Sequence, residues 1–271
     1  MPRSIITLTT DFGLADHFVG AVKGVILNIV PEAEIVDISH GVPAYDILEG
    51  ALTLAAAYSY FPAGTVHMVV VDPGVGTARR PIIATTERHV FVAPDNGVLS
   101  FIYSREPRLR VHHITTQHYF LQPVSQTFHA RDVFAPVAAH LVKAVPIETF
   151  GDPISDFVRL PMLHPVAVND HTLRGEVLKV DGFGNLITNL APQHAPALFQ
   201  PQPAPFKIVV GQREVRALRT SYGSAPENEI FAIIGSFGYL EIAANRASAA
   251  QLTGARRGAP VELTFGTAAA A

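Results

Sequence analysis

Val66, Met68, Val69, Val70 and Val71 make an apolar, mostly β-branched run that stops at Asp72-Pro73-Gly74-Val75-Gly76-Thr77-Ala78-Arg79-Arg80. A run of this kind reads as a strand buried on both faces, and such strands belong to parallel sheets with helices on either side. Parallel neighbours need crossover helices, and the upstream sequence supplies them. Residues 4–10 read as a first strand. Phe18, Val22, Val25, Ile26 and Ile29 then recur at helical offsets until Pro31, which is an amphipathic stripe. Residues 34–38 read as a second strand. Ile47, Ala51, Leu54, Ala55 and Tyr58 form a second helical face before Gly64 breaks the chain. The β-α-β-α-β order predicts an α/β domain with right-handed crossovers.

Further along, residues 82–85 and 89–92 read as paired strands. Pro94-Asp95-Asn96-Gly97 is a turn into a short helix at 98–103. Residues 109–114 and 119–122 are weaker strand candidates. Thr127-Phe128-His129-Ala130-Arg131-Asp132 leads into a helix carrying Val133, Val137, His140 and Leu141 on one side. After about residue 145 the prolines cluster, at Pro146, Pro153, Pro161 and Pro165, and helical periodicity is lost. Short strands with turns follow at 175–180, 186–188, 207–210, 214–218, 230–234, 239–242 and 261–265, with one helical stretch at 247–252. That spacing predicts a small antiparallel barrel. The expected organisation is an α/β N-terminal domain with a mostly parallel sheet over residues 1–150, a proline-containing linker over 151–172, and an all-β, barrel-like C-terminal domain over 173–271. The alanine tail, Ala268 to Ala271, is expected to fray.

Of the 271 residues 48% are hydrophobic, enough for a substantial core, yet no run approaches the roughly 18 apolar residues of a membrane span. The opening residues enter a strand pattern with no signal-peptide core. The absence of cysteine removes disulfides, thiol catalysis and cysteine-bound metal, and a cytoplasmic setting is expected. A net charge of −3 without any basic cluster longer than two residues argues against nucleic acid as a partner. The first strand is followed by Asp11-Phe12-Gly13-Leu14-Ala15-Asp16, not a dinucleotide-binding glycine pattern. Gly74-Val75-Gly76 lacks the Lys-Ser/Thr pair of a phosphate loop. The twelve histidines form no ligand pair, and His112 and His113 point to opposite faces of a strand. No dedicated metal site and no cofactor are expected.

Polar residues at the ends of elements remain. Asp11 and Asp72 each terminate an apolar strand and His129 opens a helix. In a parallel sheet these positions share the carboxyl edge, where ligands bind. Asp, Arg and His together can orient and polarise a water molecule, the carboxylate fixing the imidazole and the guanidinium balancing charge. Taken singly, each has an ordinary structural alternative: Asp11 as a turn residue or cap, His129 as a buried hydrogen-bonded histidine, Arg79 as a surface charge.

Six stretches taken together carry a resemblance. They are Thr9-Thr10-Asp11-Phe12-Gly13, Asp72-Pro73-Gly74-Val75-Gly76 with Arg79, Pro94-Asp95-Asn96-Gly97, Phe128-His129-Ala130-Arg131-Asp132, Asp181-Gly182-Phe183-Gly184-Asn185-Leu186-Ile187-Thr188-Asn189, and Ser236-Phe237-Gly238-Tyr239-Leu240-Glu241-Ile242-Ala243. In this order the sequence closely resembles the S-adenosyl-L-methionine hydroxide adenosyltransferases, adenosine-forming hydrolases related to the fluorinating and chlorinating enzymes. The resemblance runs from residue 5 to about 265. It implies an α/β domain followed by a β-barrel, in a homotrimer whose ligand lies between one subunit's N-terminal domain and its neighbour's C-terminal domain. It implies a water-handling triad of Asp72, Arg79 and His129, with His129 as the natural proton acceptor and Asp72 orienting it. Asp11 is implied as the carboxylate that holds the ribose hydroxyls. Asp181, Phe183, Asn185, Ser236, Phe237 and Glu241 fall in motifs that enclose the adenine and methionine parts, and Tyr45 matches an aromatic position near the ligand. The implied reaction is hydrolysis of S-adenosyl-L-methionine to adenosine and L-methionine, without metal or cofactor. One departure is Ala130, where the family usually has Gly after the triad histidine; its methyl narrows the water site. The halogenating branch replaces the Asp and His that this chain keeps, which favours water. A halide adenosyltransferase and a non-catalytic binder of S-adenosylmethionine or adenosine are the alternatives.

Overall fold

The structure, a computed structural model, describes residues 4–200 and 205–266; the alanine tail lies outside the described residues. The chain divides into two compact units, Met1–Pro161 and Met162–Ala271.

In the first unit β1 (Ile5–Thr10), α1 (Phe18–Ile29), β2 (Glu34–Ser39), α2 (Ile47–Ala57) and β3 (Val66–Val70) follow the expected alternation. β1 pairs in parallel with β2 on one side and with β3 on the other. The two crossovers therefore run in opposite directions along the sheet, and right-handedness sends α1 and α2 to opposite faces. The strand side chains divide accordingly. Ile6, Leu8, Val66, Met68 and Val70 share a core with Val22 and Ile26 of α1. The intervening Thr7 and His67 point the other way, with Thr7 Oγ1 and His67 Nδ1 2.7 Å apart and the His67 ring packed edge-on to Tyr58 at the end of α2.

β4 (Pro81–Thr85) and β5 (Val90–Pro94) form an antiparallel pair, but β5 inserts next to β3 and runs parallel to it. α3 (Ser100–Arg105), β6 (Arg110–His113), α4 (Ala135–Val142) and β7 (Pro153–Ile154) complete the unit. Among the described residues the sheet has seven strands in the order β2-β1-β3-β5-β4-β6-β7, and all but β4 and β7 run the same way. α4 packs beside α1, and α3 beside α2.

Three local expectations are corrected. Residues 119–122 are not a strand: Tyr119 N, Phe120 N and Leu121 N donate to Thr116 O, Gln117 O and Asp132 O, so these three donors are not available to a ladder. The helix expected at 98–103 begins at Ser100: Ser100 N closes a turn on Gly97 O, and Tyr103 N donates to Leu99 O. The segment 151–172 is not a bare linker. Its first part pairs as β7 with β6, and its last part contains β8 (Val166–Asn169), which pairs with β9 (Thr172–Val180).

The second unit continues with β10 (Leu186–Thr188), β11 (Phe206–Val210), β12 (Arg213–Val215), β13 (Ile230–Ile234), β14 (Leu240–Ala244), α5 (Ala249–Thr253) and β15 (Pro260–Phe265). All its ladders are antiparallel, in the order β12-β11-β15-β9-β10-β14-β13 with β8 on β9. A bridge between Leu218 and Ala232 links the chain after β12 to the opposite edge strand β13, so the sheet nearly closes and leaves little open edge. Leu186, Ile208, Ile242, Val261 and Leu263 fill its interior. Among the described residues no helix is long and apolar enough to cross a membrane.

Candidate active site

The chain leaves β1 toward β2 and later returns to β1's other side as β3. That divergence opens a crevice at the carboxyl ends of β1 and β3, the usual ligand position in an open α/β sheet. A cleft of about 320 Å³ lies there, lined by Asp11, Tyr45, Asp72, Val75, His129 and Ala130 among others. Asp11 follows the last residue of β1, and its Oδ2 accepts the Tyr45 backbone N–H at 2.8 Å. Burial raises the Asp11 pKa above its ordinary value, against its backbone hydrogen bonds, and the nearby Asp72 adds to the rise. Tyr45 has φ 68, a left-handed conformation uncommon outside glycine that clusters at functional sites. Its side chain is 74% exposed in the isolated chain.

The loop from Asp72 to Arg79 folds back on itself. Val75 N donates to Asp72 O and Thr77 N to Gly74 O, which turns the chain until Arg79 faces Asp72. Arg79 Nε donates to Asp72 Oδ1 at 3.1 Å and Arg79 Nη2 donates to Asp72 Oδ2. The same Nη2 lies 3.2 Å from His129 Nδ1. Gly76 has φ 75, and a Cβ there would collide with the Gln126 carbonyl oxygen. Glycine thus lets the loop rest on the segment that delivers His129.

His129 is presented by an unusual helix start. A π-turn, Ala130–Phe134, precedes α4, and such turns recur at functional sites. Pro136 has no N–H for the Asp132 carbonyl, which instead accepts Leu121 N at 2.8 Å. The Asp132 side chain is fully buried; it accepts Ser125 N at 2.8 Å and pairs with Arg131. These contacts fix the loop entering His129.

The hydrogen bonds decide how the three residues work together. Arg79 stands between Asp72 and His129, and it does not line the cleft, whereas Asp72 and His129 do. The Arg79 and Asp72 side chains are only 7% and 4% exposed, and the guanidinium carbon sits 5.2 Å from the Phe134 ring centre. A guanidinium has no acceptor, so His129 Nδ1 must accept and the neutral ring carries its proton on Nε2. Burial first, then Arg79, lowers the His129 pKa, with Asp72 and Asp132 opposing. The expectation that Asp72 orients His129 is corrected: Arg79 orients both. With Nδ1 facing Arg79, the hydrogen-bonding group left on the other side of the ring is the Nε2–H.

In the second unit, Asp181, Phe183 and Asn185 belong to the turn between β9 and β10. Asp181 Oδ1 accepts both Phe183 N and Asn185 N at 2.9 Å, and Oδ2 accepts Asn185 Nδ2 at 2.9 Å. The turn holds the Phe183 ring outward, 84% exposed. Ser236 and Phe237 lie in the β13–β14 turn. The strand register puts that turn at the other end of β10 from the Asp181 turn. Glu241 is buried on β14 and accepts a hydrogen bond from Tyr222 Oη at 3.0 Å. Burial raises its pKa, and Asp181 raises it further. A Cβ on Gly235 would collide with the Glu241 carboxylate. Tyr222 was not singled out from the sequence because it lies in a stretch without periodicity or motif.

Residues 6–151 match the family model of the SAM hydroxide adenosyltransferase N-terminal domain, and residues 175–262 match that of its C-terminal domain. The chain belongs to the SAM hydroxide adenosyltransferase family. It is 38% identical to the (R)-S-adenosyl-L-methionine hydrolase of Thermus thermophilus, over 94% of this chain and 97% of that protein. It is 29% identical to the fluorinase of Nocardia brasiliensis, over 97% and 98% of the two chains. A solved structure of an uncharacterised conserved protein from Thermotoga maritima superposes with a TM-score of 0.89 at 38% identity, covering 96% of this chain and 99% of that one. Family membership fits the two-unit architecture. The residues expected at the site fall into one group in the α/β unit, around Asp11 and the Asp72–Arg79–His129 chain, and a second in the β unit, around Asp181 and Glu241.

Proposed function

We propose that this protein hydrolyses S-adenosyl-L-methionine to adenosine and L-methionine. The observation that carries the reading is the Asp72–Arg79–His129 hydrogen-bonded chain, which presents a carboxylate and an imidazole N–H at one cleft. Family membership and the relatives named as (R)-S-adenosyl-L-methionine hydrolases support it. Because those relatives carry the (R) sulfonium epimer in their name, the (R) form is proposed as the preferred substrate.

In this reading water attacks C5′ in line with the sulfonium. The new O–C5′ bond forms as the C5′–S bond breaks, and its electron pair goes to sulfur. The leaving group is a neutral thioether, so no acid is required to protonate it and no metal to hold it. The proton lost by the water passes to the Asp72 carboxylate and then to solvent. Arg79, behind the wall, fixes Asp72 as acceptor and His129 as donor, so the water is held by two preset partners. Positioning of this kind contributes up to about 7–11 kcal/mol in well-oriented systems. Asp11 accepts hydrogen bonds from the ribose hydroxyls.

Tyr45 and Phe183 are aromatic side chains left 74% and 84% exposed in one chain, and in the proposed assembly they are covered by ligand and a neighbouring subunit. The proposed assembly is a homotrimer with its sites at subunit interfaces. A cytoplasmic setting belongs to the same proposal and rests on the absence of cysteine.

The test is incubation of purified protein with each sulfonium epimer, with chromatography of the products. Equal amounts of methionine and adenosine support the reading. A 5′-halo-nucleoside in the presence of chloride or fluoride would favour the halide reading suggested by the fluorinase relatives. Adenosine binding without methionine release would leave a binding protein, a reading favoured by the buried methyl of Ala130 in the cleft wall.

A further inference from the structure

The motif Pro94-Asp95-Asn96-Gly97 contributes no side chain to the cleft, yet it touches both ends of the loop that does. The sheet order β3-β5-β4 explains why. The loop leaves β3 and returns as β4, so it arches over the end of β5, and the residues leaving β5 lie beneath its two stems. On one stem, Asn96 Nδ2 donates to the Val71 carbonyl at 2.8 Å, immediately before Asp72. On the other, Asp95 N donates to the Arg80 carbonyl at 2.8 Å, immediately after Arg79. Asp95 Oδ2 also accepts Arg80 Nε at 2.9 Å and Nη2 at 2.7 Å.

The bracket itself is anchored. The Asp95 side chain is 2% exposed, and its Oδ1 accepts Val158 N at 2.8 Å. Asn96 Oδ1 accepts Val98 N at 3.2 Å. Gly97, at φ 94, packs so closely that a Cβ would stand 2.8 Å from Leu160 Cγ. Two consecutive residues of one rigid turn therefore set the separation between the residues that flank Asp72 and Arg79.

We propose, on the basis of the hydrolase reading above, that Asp95 and Asn96 are positioning residues. They hold the Asp72–Arg79 ion pair, and through Arg79 the His129 ring, in register with the reacting carbon. Neither touches substrate. Because a displacement of about 1 Å at the reacting centre costs on the order of 10²-fold in rate, Asn96→Ala and Asp95→Asn are expected to lower kcat by about 10- to 100-fold. The affinity for adenosine, assigned to Asp11 and Tyr45 on two other loops, should stay within about twofold. Asp156→Ala removes only the exposed outer partner of Arg80 and should leave kcat unchanged.

The experiment measures kcat and KM for S-adenosylmethionine, adenosine affinity and thermal midpoint for these three variants, together with amide hydrogen exchange across residues 72–79. A kcat loss confined to N96A and D95N, with adenosine affinity retained and faster exchange in that loop, supports the proposal. Unchanged kcat in a folded N96A or D95N overturns it, and so does adenosine affinity that falls in parallel with kcat. Wild-type protein that releases no methionine refutes the hydrolase reading instead. In that event unchanged exchange of residues 72–79 in both variants still overturns the bracket. Should one variant fail to fold, the other carries the test.

Discussion

If His129 is a donor held by Arg79, its replacements should rank by their ability to satisfy Arg79. In His129→Ala the guanidinium loses the 3.2 Å acceptor at Nδ1. A hydrogen bond to a charged group is worth about 1.5–3 kcal/mol, which is about 10- to 150-fold in rate at about 1.4 kcal/mol per tenfold. In His129→Asn the side-chain carbonyl can stand where Nδ1 stood and accept from Arg79, while the Nε2–H is lost. The expected order is wild type above H129N above H129A, with H129N at least about tenfold faster than H129A. A general base would give another pattern, because neither Asn nor Ala can take a proton and both would lose about 10²–10⁴-fold. The assay is initial methionine release at saturating substrate, with adenosine affinity measured in parallel. The pH profile adds a second readout. Burial, then Arg79, holds the His129 pKa below its ordinary value, so the rate should be level through neutral pH and fall only in more acid solution, where a proton on Nδ1 would face Arg79. That limb should disappear in H129N. Equal rates for H129N and H129A, or an acid limb that persists unmoved in H129N, would refute the assignment.

Three other outcomes are expected. Asp11→Ala should weaken adenosine binding by about 10- to 100-fold, the loss of a charged acceptor, and titration calorimetry with adenosine checks it. Activity should survive exhaustive dialysis against a chelator, because the proposed reaction has a neutral leaving group; metal-restored activity would count against it. The His67 ring is fully buried, and burial, helped by His89, lowers its pKa to about 3. Between about pH 6.5 and 3 the unfolded chain binds a proton there that the native state does not. Stability should therefore fall by about 1.4 kcal/mol per pH unit as the solution is acidified through that window. Urea unfolding at stepped pH should include this contribution, and His67→Phe should lessen the slope while costing stability at neutral pH, since Thr7 loses its partner.

The alternation of buried strands and amphipathic helices was legible because it is local. Val22 and Ile26 recur at helical spacing, and the strand between two crossovers can be covered in one way. That Asp11 and Asp72 line one cleft follows from the same pattern, since both end strands of like direction. What could not be read was which atoms pair. Spacing brings Arg79 near Asp72 but does not say that its far nitrogen reaches His129, and the residue types alone suggested a carboxylate–imidazole contact instead. Residues 119–122 have strand composition, but their donors are taken by turns and by the carbonyl that Pro136 leaves free. The role of Asp95 and Asn96 depends on β5 lying between β3 and β4, a non-sequential order without a local signature. Tyr222 meets Glu241 only because the barrel brings distant segments together.

Placing Arg79 behind the cleft wall has a consequence for how such a site can change. In the proposed reading the groups that meet the nucleophile are Asp72 and His129, two side chains on separate segments that line the cleft, whereas Arg79, which bonds to both, does not line it. Exchanging those two side chains would alter the size, charge and donor pattern offered to an incoming anion or water, yet leave the strand ends, the turn after β5 and Asp11 untouched. On the proposed reading nucleophile choice is modular, set by substitutions at a few lining positions with no redesign of the sheet beneath them.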